Sequence, residues 1–204
     1  MQNNDYLFPS IAALILAIIF PIYWVNQVSL GVASLEASLM ENFIALDFSD
    51  AVFLAIGLLS IYVYINLRKI LNDQLNFKNV DVLLMLLIGA HALHIATLGL
   101  DLTAASLSLQ GVHENRGFFV GAGLTIVFGG TILFGLFDLL IGAVLLKHAN
   151  ELPTLVKIFA LITLIQGVLG ISIVFSPITL VSFPLSLIIL SIYFLSKPES
   201  VEVV

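Results

Sequence analysis

The sequence contains no cysteine, which excludes a disulfide framework, a thiolate metal site, an iron–sulfur cluster and a cysteine nucleophile. It is also poor in charge. Asp, Glu, Lys and Arg make up 10% of its 204 residues, against about 25% in soluble domains. Seven basic residues against thirteen acidic ones leave no cationic surface to neutralise phosphates, so no nucleic-acid partner is expected. With 60% hydrophobic residues and a mean hydropathy of +1.15, intrinsic disorder is excluded too, because disorder needs low hydrophobicity and high charge. A chain of this composition is expected to have the lipid bilayer as its solvent.

A hydrocarbon core of about 30 Å needs roughly 20 apolar residues per helix. Six runs meet that length approximately: 7–25, 51–67, 82–100, 118–146, 155–174 and 178–195. The fourth exceeds one crossing, which implies tilt or a projecting end. Ser176-Pro177 separates the last two runs, and a proline that cannot continue a helix predicts a tight helical hairpin there. The first run lacks a basic leader and an A-x-A site, so it reads as an uncleaved span rather than a signal peptide. The expected fold is therefore all-α: one polytopic bundle of six transmembrane helices over 1–204, with no separate soluble domain.

Six spans put Arg68, Lys69, Lys78, Lys147, Lys157 and Lys197 on one side and only Arg116 on the other. The positive-inside rule then predicts both termini in the cytoplasm, across a plasma (inner) membrane. Tyr23, Trp24, Phe118 and Phe119 fall at the outer interface and Tyr193 near the inner one, as an aromatic belt requires.

Outside the runs, Val32, Leu35, Leu39, Phe43 and Leu46 recur at helical spacing, predicting an amphipathic segment over 30–47 on the outer surface. Its acidic residues Glu36 and Glu41, together with Asp101, form a candidate cation-attracting entrance. The fourth run is rich in glycine. Gly117-x-x-x-Gly121 has the spacing of a helix-packing face, and Gly129-Gly130 marks a candidate hinge or helix break.

Ionisable groups inside a membrane are costly and rare, which narrows the search for function. His91 and His94 lie on one face of the third run, with Asp101 in the same sector at its outer end. Asp138 in the antiparallel fourth run falls at a depth comparable to His91, and Gln166 of the fifth at a similar one. A His–Asp contact is geometrically available. Burial favours the neutral form of each group and mutual attraction the charged forms, so such a pair suits a proton relay or a substrate-binding site. Tyr62, Tyr64 and Asn66 extend a possible polar route. The bland alternative is an interhelical hydrogen bond that fixes helix register.

His91-x-x-His94 places two imidazoles on one face, but it lacks the base of an H-E-x-x-H motif and lies in an apolar setting. Haem would need a second histidine at the same depth, and His113 and His148 lie at the two ends of the fourth run. No metal and no cofactor are expected. No nucleophile elbow, P-loop or dinucleotide fingerprint is present, so the chain does not read as an enzyme. Two functions fit. One is a non-catalytic subunit or helix-packing partner in a membrane assembly, joined to itself or another protein through Gly117, Gly121, Gly129 and Gly130. The other is a proton-coupled carrier or channel for a small solute or ion, built on His91, His94, Asp138 and Gln166.

Overall fold

The computed structural model describes residues 6–31 and 46–196. Among them there are helices and no strands. Most of the amphipathic segment expected over 30–47, including Glu36 and Glu41, lies outside the described residues, as does Lys197.

The helices are α1 (Leu7–Gly31), α2 (Phe48–Asp73), α3 (Asp81–Ala96), α4 (Leu98–Ser106), α5 (Leu109–Glu114), α6 (Arg116–Leu124), α7 (Gly130–Lys147), α8 (Thr154–Ile171) and α9 (Thr179–Leu195). Six helical stretches are long and apolar enough to cross a membrane, with α3 and α4 together forming the third and α6 to α7 the fourth. Short-range chemistry explains their ends. Asp47 caps α2: the Ser49 amide donates to its Oδ1 at 2.6 Å, and its own amide donates to Asp50 Oδ2 at 2.9 Å. This reciprocal arrangement satisfies amides that a helix start leaves unpaired. Ser108 caps α5 by accepting from the Gly111 amide at 3.1 Å, so the polar stretch between the third and fourth apolar runs is mostly helical. Pro177 sits in a single 3₁₀ turn, Ser176–Ile178, between α8 and α9, which makes the expected tight hairpin.

Two of the long helices are interrupted. Thr97 separates α3 from α4, and its hydroxyl donates to the His94 carbonyl at 2.6 Å. In the fourth stretch a π-helical turn, Thr125–Gly129, joins α6 to α7. It ends at the Gly129-Gly130 pair where a break was expected. The chain is re-registered there without leaving the helix.

The helices close into a ring in the order α1, α2, α3, α7, α8, α9 and back to α1, with the most extensive contact between α7 and α8 and the sparsest between α3 and α7. Leu16, Val63, Leu67, Leu87, Leu145, Phe159, Leu187 and Leu190 fill the interior at 1% exposure or less. The outside is apolar as well: Phe8, Ile18, Val82 and Val181 are each more than 60% exposed, a surface that water would penalise and hydrocarbon would not. Ser10 and Ser191 join α1 to α9 by a buried hydroxyl pair at 2.7 Å. Tyr193, expected at an interface, is instead fully buried, because α9 is packed by both α1 and α8 and turns that ring inward.

Candidate functional site

The interior polar site is built on the crossing of α7 and α8. A Cβ added at Gly142 would stand 2.6 Å from the Leu164 amide nitrogen and 2.9 Å from the Ala160 carbonyl oxygen. One added at Gly135 would stand 2.7 Å from the Ile171 nitrogen and 2.9 Å from the Gly170 carbonyl carbon. Gly167 abuts the backbone at Leu139 and Gly135 from the other side. Only glycine lets two helix backbones come this close. Asp138 lies between Gly135 and Gly142, and at this separation its short side chain reaches the facing helix. Gln166 Nε2 donates to Asp138 Oδ2 at 2.6 Å, with both residues buried.

The expected contact between Asp138 and the histidines does not form. His91 packs against Phe134 at a ring-centroid distance of 4.7 Å and stacks on Tyr64 at 5.5 Å. His94 packs against Phe53 at 4.9 Å and edge-on to Phe134 at 5.5 Å. The reason is the unequal spacing of the ring: the glycine crossing draws α7 to α8, while the α3–α7 seam stays wide and Phe134 fills it. Tyr64 links the two halves. It is buried on α2, stacks on His91 and lies within electrostatic reach of Asp138. A polar series His91, Tyr64, Asp138, Gln166 thus runs through α3, α2, α7 and α8. Gln166 Oε1 and Thr163 Oγ1, one turn apart on α8, are buried without a hydrogen-bond partner among the described residues.

Other expected members fall elsewhere. Tyr62 is 40% exposed and accepts at its backbone carbonyl from Asn66 Nδ2 at 2.8 Å, so these two line the outside of α2 rather than an inner route. Asp101 on α4 is near Asp47 and Asp50 at the opposite end from Lys147, within the reach of their charges, and does not join His91 and His94. Among the described residues no three His, Asp or Glu side chains converge as a metal would require.

The glycines of the fourth stretch divide by position. Among the described residues, Gly117 and Gly121 have nothing within 4 Å of an added Cβ, Gly129 meets the Thr125 methyl, and Gly130 backs the His94 ring at 3.8 Å. Gly117 and Gly121 line an open apolar cleft with Leu100, Phe118 and Thr125. A second cleft, with a volume of about 190 Å³, follows the α3–α7 seam past His94, Thr97, Thr125 and Leu133.

The sequence reading passed over two arrangements. One is the partner of the glycine face: the glycines of the fourth run, Gly135 and Gly142 among them, read as packing tightly within the bundle, but Ala160 and Gly167 of the fifth run, which share their seven-residue spacing, were not matched to them. The other is the α2–α3 turn, where Arg68 holds Asp81 through Nε at 2.7 Å and through a terminal nitrogen at 3.0 Å while Asn72 also donates to it. A basic residue and an acidic one at the facing ends of two consecutive apolar runs were its signal. Comparison of the chain with protein-family models, with curated proteins and with solved structures finds no match.

Proposed function

We propose that this protein is a non-catalytic subunit of a membrane assembly, with six transmembrane helices and both termini on the cytoplasmic side of a plasma membrane, that receives a partner's transmembrane helix in the cleft at Gly117 and Gly121. The observation that carries this reading is the contrast among its glycines. Each glycine in a helix forgoes about 1 kcal/mol of helix propensity relative to alanine. Gly135, Gly142 and Gly167 offset that by admitting a facing backbone within this chain. Gly89, Gly99, Gly117 and Gly121 meet no neighbour among the described residues, and of these four Gly117 and Gly121 are the pair that sits one turn apart on an apolar cleft. Their i, i+4 spacing is the one that lets a second helix approach closely in lipid. The polar interior agrees with a structural role, because the Asp138 carboxylate is held by Gln166 and not by a mobile or solvated group.

The test is a photo-crosslinking side chain in place of Gly121, activated in native membranes, with the same group at the exposed Leu161 of α8 as the control. A discrete protein adduct at 121, absent at 161 and lost on Gly117→Leu, is expected. Lipid adducts alone at both positions would refute the proposal.

A second reading rests on a different observation, the interior polar residues Tyr64, Asp138 and Gln166 with the half-buried His91 beside them, and oxygens at Gln166 and Thr163 that have no partner among the described residues. In this reading the protein is a proton-coupled carrier of a small solute or ion, and Asp138 carries the proton. Asp138→Asn preserves the hydrogen bond to Gln166 but cannot exchange a proton. In proteoliposomes containing a pH-sensitive dye, proton flux through the wild type should disappear in this variant. Equal flux in the two rules the relay out.

A further inference from the structure

The α3–α7 seam carries a second inference; its cleft adjoins the one assigned to the partner helix and shares Thr125 and Ile126 with it. It is the sparsest contact of the ring, and its cleft lies beside the π-helical turn, a distortion frequent at functional sites. His94 projects from α3 into this cleft. It packs against Phe53 and edge-on to Phe134, yet neither ring nitrogen has a hydrogen-bond partner among the described residues. An imidazole left unpaired in hydrocarbon is unfavourable, so the site is chemically incomplete. Two hydroxyls stand with it. Thr97 donates to the His94 carbonyl and Thr125 to the Gly121 carbonyl at 2.8 Å, which leaves the oxygen lone pairs of both free to accept.

Among the described residues no charged side chain lines the cleft, so a charged head would be desolvated there without compensation. The remaining walls, Leu93, Ile126, Leu133 and Phe134, are apolar. A volume of about 190 Å³ is below the roughly 300–1,000 Å³ of pockets that enclose a whole drug-sized ligand; it holds a head and leaves a tail outside. We infer that this cleft binds an uncharged amphipathic lipid, whose hydroxyl or carbonyl head hydrogen-bonds to His94, with a hydroxyl also donating to Thr97 or Thr125, and whose chain leaves the seam over Ile126 and Leu133.

The experiment uses the full chain in phosphatidylcholine nanodiscs and two photoreactive probes with the same alkyl chain, one a long-chain alcohol and the other a quaternary ammonium. The alcohol should label 90–97 and 125–134, be displaced by excess unreactive alcohol, and lose labelling about tenfold in His94→Phe, which keeps the ring packing and removes the hydrogen bond. Should that variant not fold, Thr125→Val and displacement from the wild type supply the same readout, with a several-fold loss expected. Equal labelling by the ammonium probe, failure of displacement, or labelling unchanged in the folded variants would overturn the inference. So would a partner protein that crosslinks at Leu133 and excludes the alcohol, since the cleft would then be a protein contact.

Discussion

The α7–α8 crossing supports a prediction whose size follows from its geometry. In Gly142→Ala the new methyl would stand 2.6 Å from the Leu164 nitrogen, 2.8 Å from its Cα and 2.9 Å from the Ala160 oxygen. All three are backbone atoms, so no side chain can rotate aside. To restore ordinary contact at 3.4 Å the helices must part by about 0.8 Å, and a gap of that size forfeits roughly a quarter to a half of the dispersion energy of the facing atoms. Overpacking of this kind costs about 1–3 kcal/mol. The same displacement carries the Gln166 to Asp138 hydrogen bond from 2.6 Å beyond the productive range of about 3.2 Å, a further loss of about 0.6 kcal/mol. Against this, alanine recovers about 1 kcal/mol of helix propensity. The net expectation is a loss of about 1.6 kcal/mol, roughly fifteenfold in the unfolding equilibrium. Reversible unfolding in mixed micelles, followed by circular dichroism, measures it. Gly121→Ala is the paired control: with nothing within 4 Å of its methyl, it should be neutral or stabilising by up to about 1 kcal/mol. If Gly142→Ala unfolds with the wild type, or if Gly121→Ala loses as much, the close crossing does not hold the bundle as argued.

Further predictions concern the polar contacts and the topology. In a double-mutant cycle, Asp138→Leu and Gln166→Leu should couple by about 0.6–1.7 kcal/mol, since each alone strands a buried partner, while additive losses would mean that the pair makes no energetic contact. Ser10→Ala should cost about 0.6 kcal/mol and loosen α1 against α9, read as faster amide exchange in both helices but not in α3; uniform exchange rates would contradict the hydroxyl bridge. Asp81→Leu removes the acceptor of Arg68 and Asn72, so amides over 74–80 should exchange faster with little change in global stability, as expected of a partly exposed pair; unchanged local exchange would show that the turn does not depend on it. In the cysteine-free background, Lys69→Cys and Glu114→Cys should react with an impermeant maleimide from opposite membrane faces, and labelling of both from one face would defeat the six-span topology.

Much of the architecture was legible because hydropathy is summed locally. The six apolar runs correspond to six helices long and apolar enough to span a membrane, and Ser176-Pro177 marked the hairpin turn because proline acts on its own backbone. Boundaries shifted where polar groups found partners. The second run continues past Arg68 to Asp73 because Arg68 and Asn72 are satisfied by Asp81 across the turn. Asp47 and Asp50, just before the apolar run over 51–67, cap its helix. The Gly129-Gly130 break was located correctly but takes the milder form of a π-helical turn.

The candidate site was less legible. His91, His94, Asp138 and Gln166 stood out in the sequence because each is costly in an apolar run. Which of them would meet was decided only in three dimensions. Depth follows from counting residues, whereas pairing depends on how each helix is rotated and on how closely its axis approaches its neighbour. Gly135, Gly142 and Gly167 set that approach on the α8 side, so Asp138 bonds Gln166. On the α3 side Phe134 holds the seam open, so the histidines rest on aromatic rings and His94 faces a cleft. Composition and local hydropathy by themselves determined that the chain forms long apolar helices, and how many. The tertiary structure decided which glycines serve this chain and which remain open, because a close approach is a property of two surfaces and is written in neither helix alone.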